Sequence, residues 1–172
     1  MCRRTLVNTI AAILIGAPSY ADTRSPLTVA VSCQAMGWAW SVTIAGREVT
    51  SRGTGEEPMG TIDLRTGCIT EPKKKLVSRS DLARLRDTLR RDQFWGFKPT
   101  YPSGAGCLDC LECAVHAAER GRTHTSRLYP DMIRQGVDAN DVRDIARLLW
   151  IFRTTLRVAG SKMEPPVVDL PE

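Results

Sequence analysis

The sequence predicts an α+β domain: an antiparallel sheet of about five strands covered on one face by two helices, in the order hairpin, helix, hairpin, helix. Three observations carry that expectation. Stretches in which apolar and polar residues alternate come in pairs divided by glycine-bearing turns. Two longer stretches set large apolar residues at helical spacing. The two patterns succeed one another along the chain, with no internal repeat.

In chain order, "DTRSP" is a polar lead-in, and "LTVAVSC" sets Leu27, Val29 and Val31 on one face of a strand that ends at Cys33. "QAMG" turns the chain into "WAWSVTIAG", where Trp40, Val42 and Ile44 alternate with Ser41 and Thr43. Trp38 is in phase with the same face, which assigns both tryptophans to the core. Gly46 closes the strand and "REVTSRG" returns as its hairpin partner. "TGEEPMG" is a loop, and the β-branched residues around Cys68 predict one further strand. Ser78, with Asp81 three residues on, marks a capped helix start. Leu82, Leu85 and Leu89 form its apolar stripe, and Arg84, Arg86, Arg90 and Arg91 take the rest of the surface. Gly96 is its stop signal, with Pro99 just beyond.

A Pro- and Gly-rich loop, "TYPSGAGC", leads to "ECAVHAAE" and "THTSRLY", which flank "RGR" as a second hairpin. The last helix begins near Asn140 or Asp141 and carries Val142, Ile145, Leu148, Leu149, Phe152 and Leu156 on one stripe, with Trp150 off it. Residues 159–172, with two adjacent prolines, are expected to form an extended, mobile tail.

The first residues predict the compartment. "MCRR" is basic, a roughly dozen-residue apolar run follows, and Ser19 and Ala21 stand where a signal peptidase reads small residues. The run is short of the roughly 20 residues that span a bilayer. Residues 1–21 therefore read as a signal peptide, 22–158 as a single domain, and the product as periplasmic or secreted. Cys2 lies away from the cleavage point and cannot become a lipid-attachment site. Removing Arg3 and Arg4 with the leader lowers the formal charge from +5 to +3 over 151 residues. The remaining basic residues are interleaved with acids, as in "DLARLRDTLRRD", and Lys73–Lys75 is the one pure run. That pattern argues against nucleic acid as a partner and supports a mild preference for anionic surfaces.

"SCQAMGWAWSVTIAGREVTSRG", "LRRDQFWGFKPTYP" and "GRTHTSRLYP" with the helix after it resemble a bacterial family of exported domains of unknown function, the one numbered 6438, over roughly residues 27–157. Cys33, Gly37, Trp40, Val42, Ile44, Asp92, Phe94, Trp95 and Asp109 take the places of its motif residues. Trp38 and Ala39 stand where the family often has a cysteine and a proline, so a local disulfide from Cys33 to that place is not available. The resemblance implies no catalytic residue.

Five cysteines remain after cleavage: Cys33, Cys68, Cys107, Cys110 and Cys113. In an oxidising compartment all five are disulfide candidates, and an odd number leaves one thiol over. "GCLDCLECAVH" also sets Cys107, Cys110, Cys113 and His116 at steps of three, a candidate zinc or copper ligand set. A strand would place Cys107 and Cys113 opposite Cys110 and His116, and each step of three on a helix drifts by about 60°, so only an irregular loop could gather them. A redox C-x-x-C needs its first thiol at a helix N-terminus, and no helical stripe follows Cys110. The structural alternative uses two disulfides to staple the loop and the sheet. It leaves Cys113 as the expected odd thiol, on its core-facing parity with Val115.

His116 and His124 lie on the two arms of the second hairpin and are candidates for a facing pair across the ladder, or for two surface histidines. Arg86 and Arg90 share a helix face, free for an acidic partner or simply solvated. No G-x-S-x-G, H-E-x-x-H or phosphate-cradling loop occurs. The expectation is a non-enzymatic exported domain without a cofactor that binds a protein or envelope component through a sheet face or edge. The alternative is a metal-binding or thiol-redox protein using the cysteine cluster.

Overall fold

The structure, a computed structural model, describes residues 26–54, 75–102, 110–133, 137–168 and 170. The expected leader, the strand near Cys68, and Cys107 with Asp109 lie outside the described residues. The elements are β1 (Thr28–Ala35), β2 (Trp38–Ala45), β3 (Glu48–Thr54), β4 (Lys75–Leu76), α1 (Arg79–Arg91), β5 (Thr100–Tyr101), β6 (Glu112–Glu119), β7 (Arg122–Leu128), α2 (Pro130–Ile133) and α3 (Ala139–Ala159).

The α+β class holds, with a different composition. The sheet has seven strands in the order β4-β3-β2-β1-β6-β7-β5. It is mixed, because β5 runs parallel to β7 while the other pairs are antiparallel. A third helix, α2, precedes α3. The strands and the helix missing from the sequence expectation, β4, β5 and α2, are two, two and four residues long. None is long enough to show a period.

The alternating segments bury the faces that their patterns assign. Val29, Val31 and Cys33 of β1, Trp40, Val42 and Ile44 of β2, and Cys113, Val115 and Ala117 of β6 all point into one core. Trp40 meets Phe152 edge to face at 5.8 Å, and Trp38 packs partly buried against the same cluster. The turns suit their sequences: Gly37, Gly46 and Gly121 hold left-handed φ values, and Arg120 shares that conformation at the tip of the β6–β7 hairpin.

On the core side α3 packs across β1, β2 and β6, with α1 beside it. The Ser78 side chain caps α1 by accepting from Asp81 N at 3.0 Å, and Leu82, Leu85 and Leu89 turn inward. The helix stops before Gly96. Gln93 takes the left-handed turn, and Phe94–Gly96 form a single 3-10 turn whose Phe94 is fully buried. Asp138 caps α3, accepting from Asn140 N and Asp141 N at 2.8 Å each. Ile145, Leu148, Phe152 and Leu156 lie in the core, as their spacing predicts, and Gly160 ends the helix in a left-handed cap. Residues 161–168 run without helix or strand, with Met163 and Val168 packed against the core.

Candidate functional site

Two cysteines that the sequence left unassigned to each other meet directly. Cys33 and Cys113 are register partners on β1 and β6, and their sulfurs are bonded, with Cα atoms 4.1 Å apart. The parity that placed Cys113 on the core face is correct, since Val115 beside it is also fully buried. The expectation that Cys113 is the spare thiol is overturned, because Cys33 holds the facing position on the same side of the sheet. Cys110 is also disulfide-bonded. In this state neither Cys110 nor Cys113 presents the thiolate that a metal ion requires. Cys113 and His116, three apart on β6, stand on opposite faces as strand geometry demands. Among the described residues no group of three or more His, Cys, Asp or Glu is placed to hold a metal ion.

The two histidines do not form the facing pair. The β6–β7 register sets His116 opposite Thr125 and His124 opposite Ala117, so a one-residue offset sends the rings to different faces. His124 turns toward the core, 5.1 Å from Phe94 edge to face, and burial holds its imidazole below the ordinary histidine range. His116 points to the other face, where its Nδ1 lies 2.8 Å from Thr125 Oγ1. Burial lowers its pKa too.

Among the described residues, that other face is an extended surface that none of the helices covers. The helices lie on the core side, and the registers align the outward residues in rows. One row runs Thr50, Thr43, Ala30, His116, Thr125, and its neighbour runs Arg52, Ser41, Ser32, Ala114, Arg127. A third runs Glu48, Ala45, Thr28, Ala118, Thr123. With strands about 4.8 Å apart, these rows extend about 19 Å from β3 to β7. The middle is small and hydroxyl-bearing, every central residue is partly accessible, and His116 is its one ring. Charge gathers at the margins, on Glu48, Arg52 and Arg127. Glu112 accepts from Tyr129 Oη at 2.7 Å and pairs with Arg127 at 3.5 Å, which fixes one corner.

A second polar group sits where the segment after α1 meets the start of α3. Lys98 Nζ donates to Asp141 Oδ1 at 2.5 Å, and Asp138 Oδ2 lies at 3.9 Å. The Asp141 hydrogen bond raises the Lys98 pKa. Asp138 is held below the usual carboxylate range, chiefly by the Asp141 backbone N–H. Tyr101 accepts from Lys98 N and donates to Asp144, and burial pushes its hydroxyl up to about 12. These bonds fasten the connection to α3, and each charged member has its partner inside the cluster.

Arg86 and Arg90 of α1 are occupied as well. Arg86 pairs with Glu119 at 2.6 Å and Arg90 with Asp87 at 2.5 Å, so the pair expected to be free or solvated is tied to carboxylates of the chain itself. No single residue marks which sheet face is open, because serines, threonines and alanines carry no individual signal. The outward half of each alternating strand would have located it.

No protein-family model matches the chain and no curated protein does.

Proposed function

We propose that this protein is an exported, non-enzymatic binding domain, stabilised by disulfides and related to the bacterial exported family that its motifs resemble. Its contact surface is the open sheet face centred on Ala30, Ser41, Thr43 and His116. The observation that carries this reading is the alignment of small, partly accessible residues over rows on five neighbouring strands. Such a surface offers hydroxyl hydrogen bonds and close approach of a partner, while its charges stay at the rim, where interfaces keep them. The disulfides support an oxidising compartment. Among the described helices none is long and apolar enough to cross a membrane. The partner expected is a protein or other envelope component.

The face is favoured over the β7 side of the sheet for a physical reason. On one side, the segment after α1 runs along β7, with Arg127 N donating to Pro99 O and Ser126 Oγ to Lys98 O. A strand added there would displace those bonds.

Photo-crosslinking residues placed at Ala30 and Ser41, and as a control at Ala83 on the outer side of α1, test the proposal in native cells. Discrete adducts from the two sheet positions, lost when Thr43→Arg fills the centre of the face, are the expected result. Adducts from Ala83 alone, or none from Ala30 and Ser41, would remove the face as the contact surface.

A further inference from the structure

The outward side of α3 is a single line of exposed residues. Arg143, Ala146, Trp150, Arg153 and Arg157 recur every three or four positions, the spacing of one helix face. Trp150 is 41% exposed, a large apolar surface left in water at the middle of the line. No carboxylate stands on it.

The contrast with α1 is informative. There four of the five arginines, Arg84, Arg86, Arg90 and Arg91, are each bound to a carboxylate of the chain itself. On α3 Arg147, beside the line, is paired with Asp144. Among the described residues, Arg143, Arg153 and Arg157 form no ion pair. Lys75 adds a further cation at the helix end, where its Nζ lies so close to Gly160 that a Cβ there would collide with it. The three arginines span about 21 Å along the helix.

We propose that this line seats the protein on the surface of an anionic lipid bilayer, a proposal that rests on the protein being an exported envelope domain. The inner side of α3 is committed to the core through Ile145, Leu148 and Phe152, so the helix cannot insert and the contact stays in the headgroup layer. Unpaired guanidinium groups suit lipid phosphates, and an exposed indole suits the bilayer interface. Residues on one face of a helix can meet a plane together. A nucleic acid fits less well: proteins that hold duplex DNA through charge use about 6–10 phosphate contacts, more than these side chains supply.

Flotation of the mature protein with vesicles tests this directly. Phosphatidylcholine vesicles containing one-third phosphatidylglycerol should carry the protein up at low salt and release it at high salt, and pure phosphatidylcholine should not carry it. Each arginine is worth about a fivefold change in partition, so R143Q/R153Q/R157Q should weaken binding about a hundredfold. Vesicles should shift tryptophan emission to the blue in the wild type and not in W150F. All four side chains are exposed, so unchanged thermal melting will show that the variants are folded. Failure to float, flotation that survives the triple substitution, or tighter binding to duplex DNA or polyglutamate than to the anionic vesicles would overturn the proposal. The sheet-face crosslinks do not depend on these arginines. Lost flotation with intact adducts therefore removes only the lipid contact, and the converse removes only the sheet-face assignment.

Discussion

His124 shows how one ring can tie stability to pH. Its Nε2 is buried with no hydrogen-bond partner among the described residues, and Phe94 closes over the ring. Burial depresses its pKa most, while a hydrogen bond with the Phe97 backbone opposes the shift and the charge of His116 adds to it. His116 moves in the same direction through burial. A histidine whose folded pKa lies below the unfolded value of 6.5 binds fewer protons folded than unfolded in the window between the two. Its contribution is fully present above pH 6.5 and is lost as pH falls toward the folded pKa. The melting temperature should therefore decline on acidification below that point, and H124F should flatten the decline. An acid limb of unchanged slope in H124F would exonerate this ring. Leu148 and Trp150 make a second comparison, two positions apart on α3. Leu148 is 2% exposed, so Leu148→Ala should cost about 2–5 kcal/mol in chemical denaturation. Trp150→Ala, on the open side, should stay within about 0.5 kcal/mol.

At the scale of elements, legibility followed length and periodicity. The strands of both hairpins and the stripes of α1 and α3 were readable because each repeats its pattern several times. β4 and β5 contain two residues each and exist only because a neighbouring strand offers bonds, which no local pattern encodes. The histidine pair failed by a single position. The two-residue turn at Arg120 and Gly121 pairs Glu119 with Arg122, and a register one residue different would have brought the rings together. Likewise, the parity of Cys113 could be read from "ECAVH", but its partner could not. That partner depends on β1 and β6 being neighbours across 80 residues of chain. Caps are local and were legible. Ser78 accepts from Asp81 N and donates to the Asp81 carboxylate at 2.7 Å. Ser78→Ala should destabilise by about 1 kcal/mol, measured by urea unfolding, with no change of m-value.

At the scale of the molecule the Cys33–Cys113 disulfide ties together strands far apart in the chain. Cys33–Cys113 closes a loop of sequence separation 80, and the chain-entropy account assigns such a loop about 4–5 kcal/mol. The double variant C33A/C113A should lose a comparable amount, and a loss below about 1 kcal/mol would show that the bridge merely accompanies a sheet already held by its core. With Cys110 also bonded, a chain beginning at residue 22 should titrate as one thiol in denaturant without reductant and five with it. Alkylation should spare Cys33, Cys110 and Cys113. Stoichiometric zinc or copper in the purified protein, or three reactive thiols, would instead favour a metal centre.

The strand order gives that bridge a further role. β1 is the inner edge of the ribbon β4-β3-β2-β1, and β6 is the inner edge of the remainder, so the bond crosses the seam between the two parts of the sheet. A protease that cuts the backbone anywhere between residues 33 and 113 leaves two pieces still joined by a covalent bond. Such a nicked chain would migrate as one band on a gel without reductant and as two with it. In an extracellular setting, where proteases are common, the molecule can be cut without being taken apart.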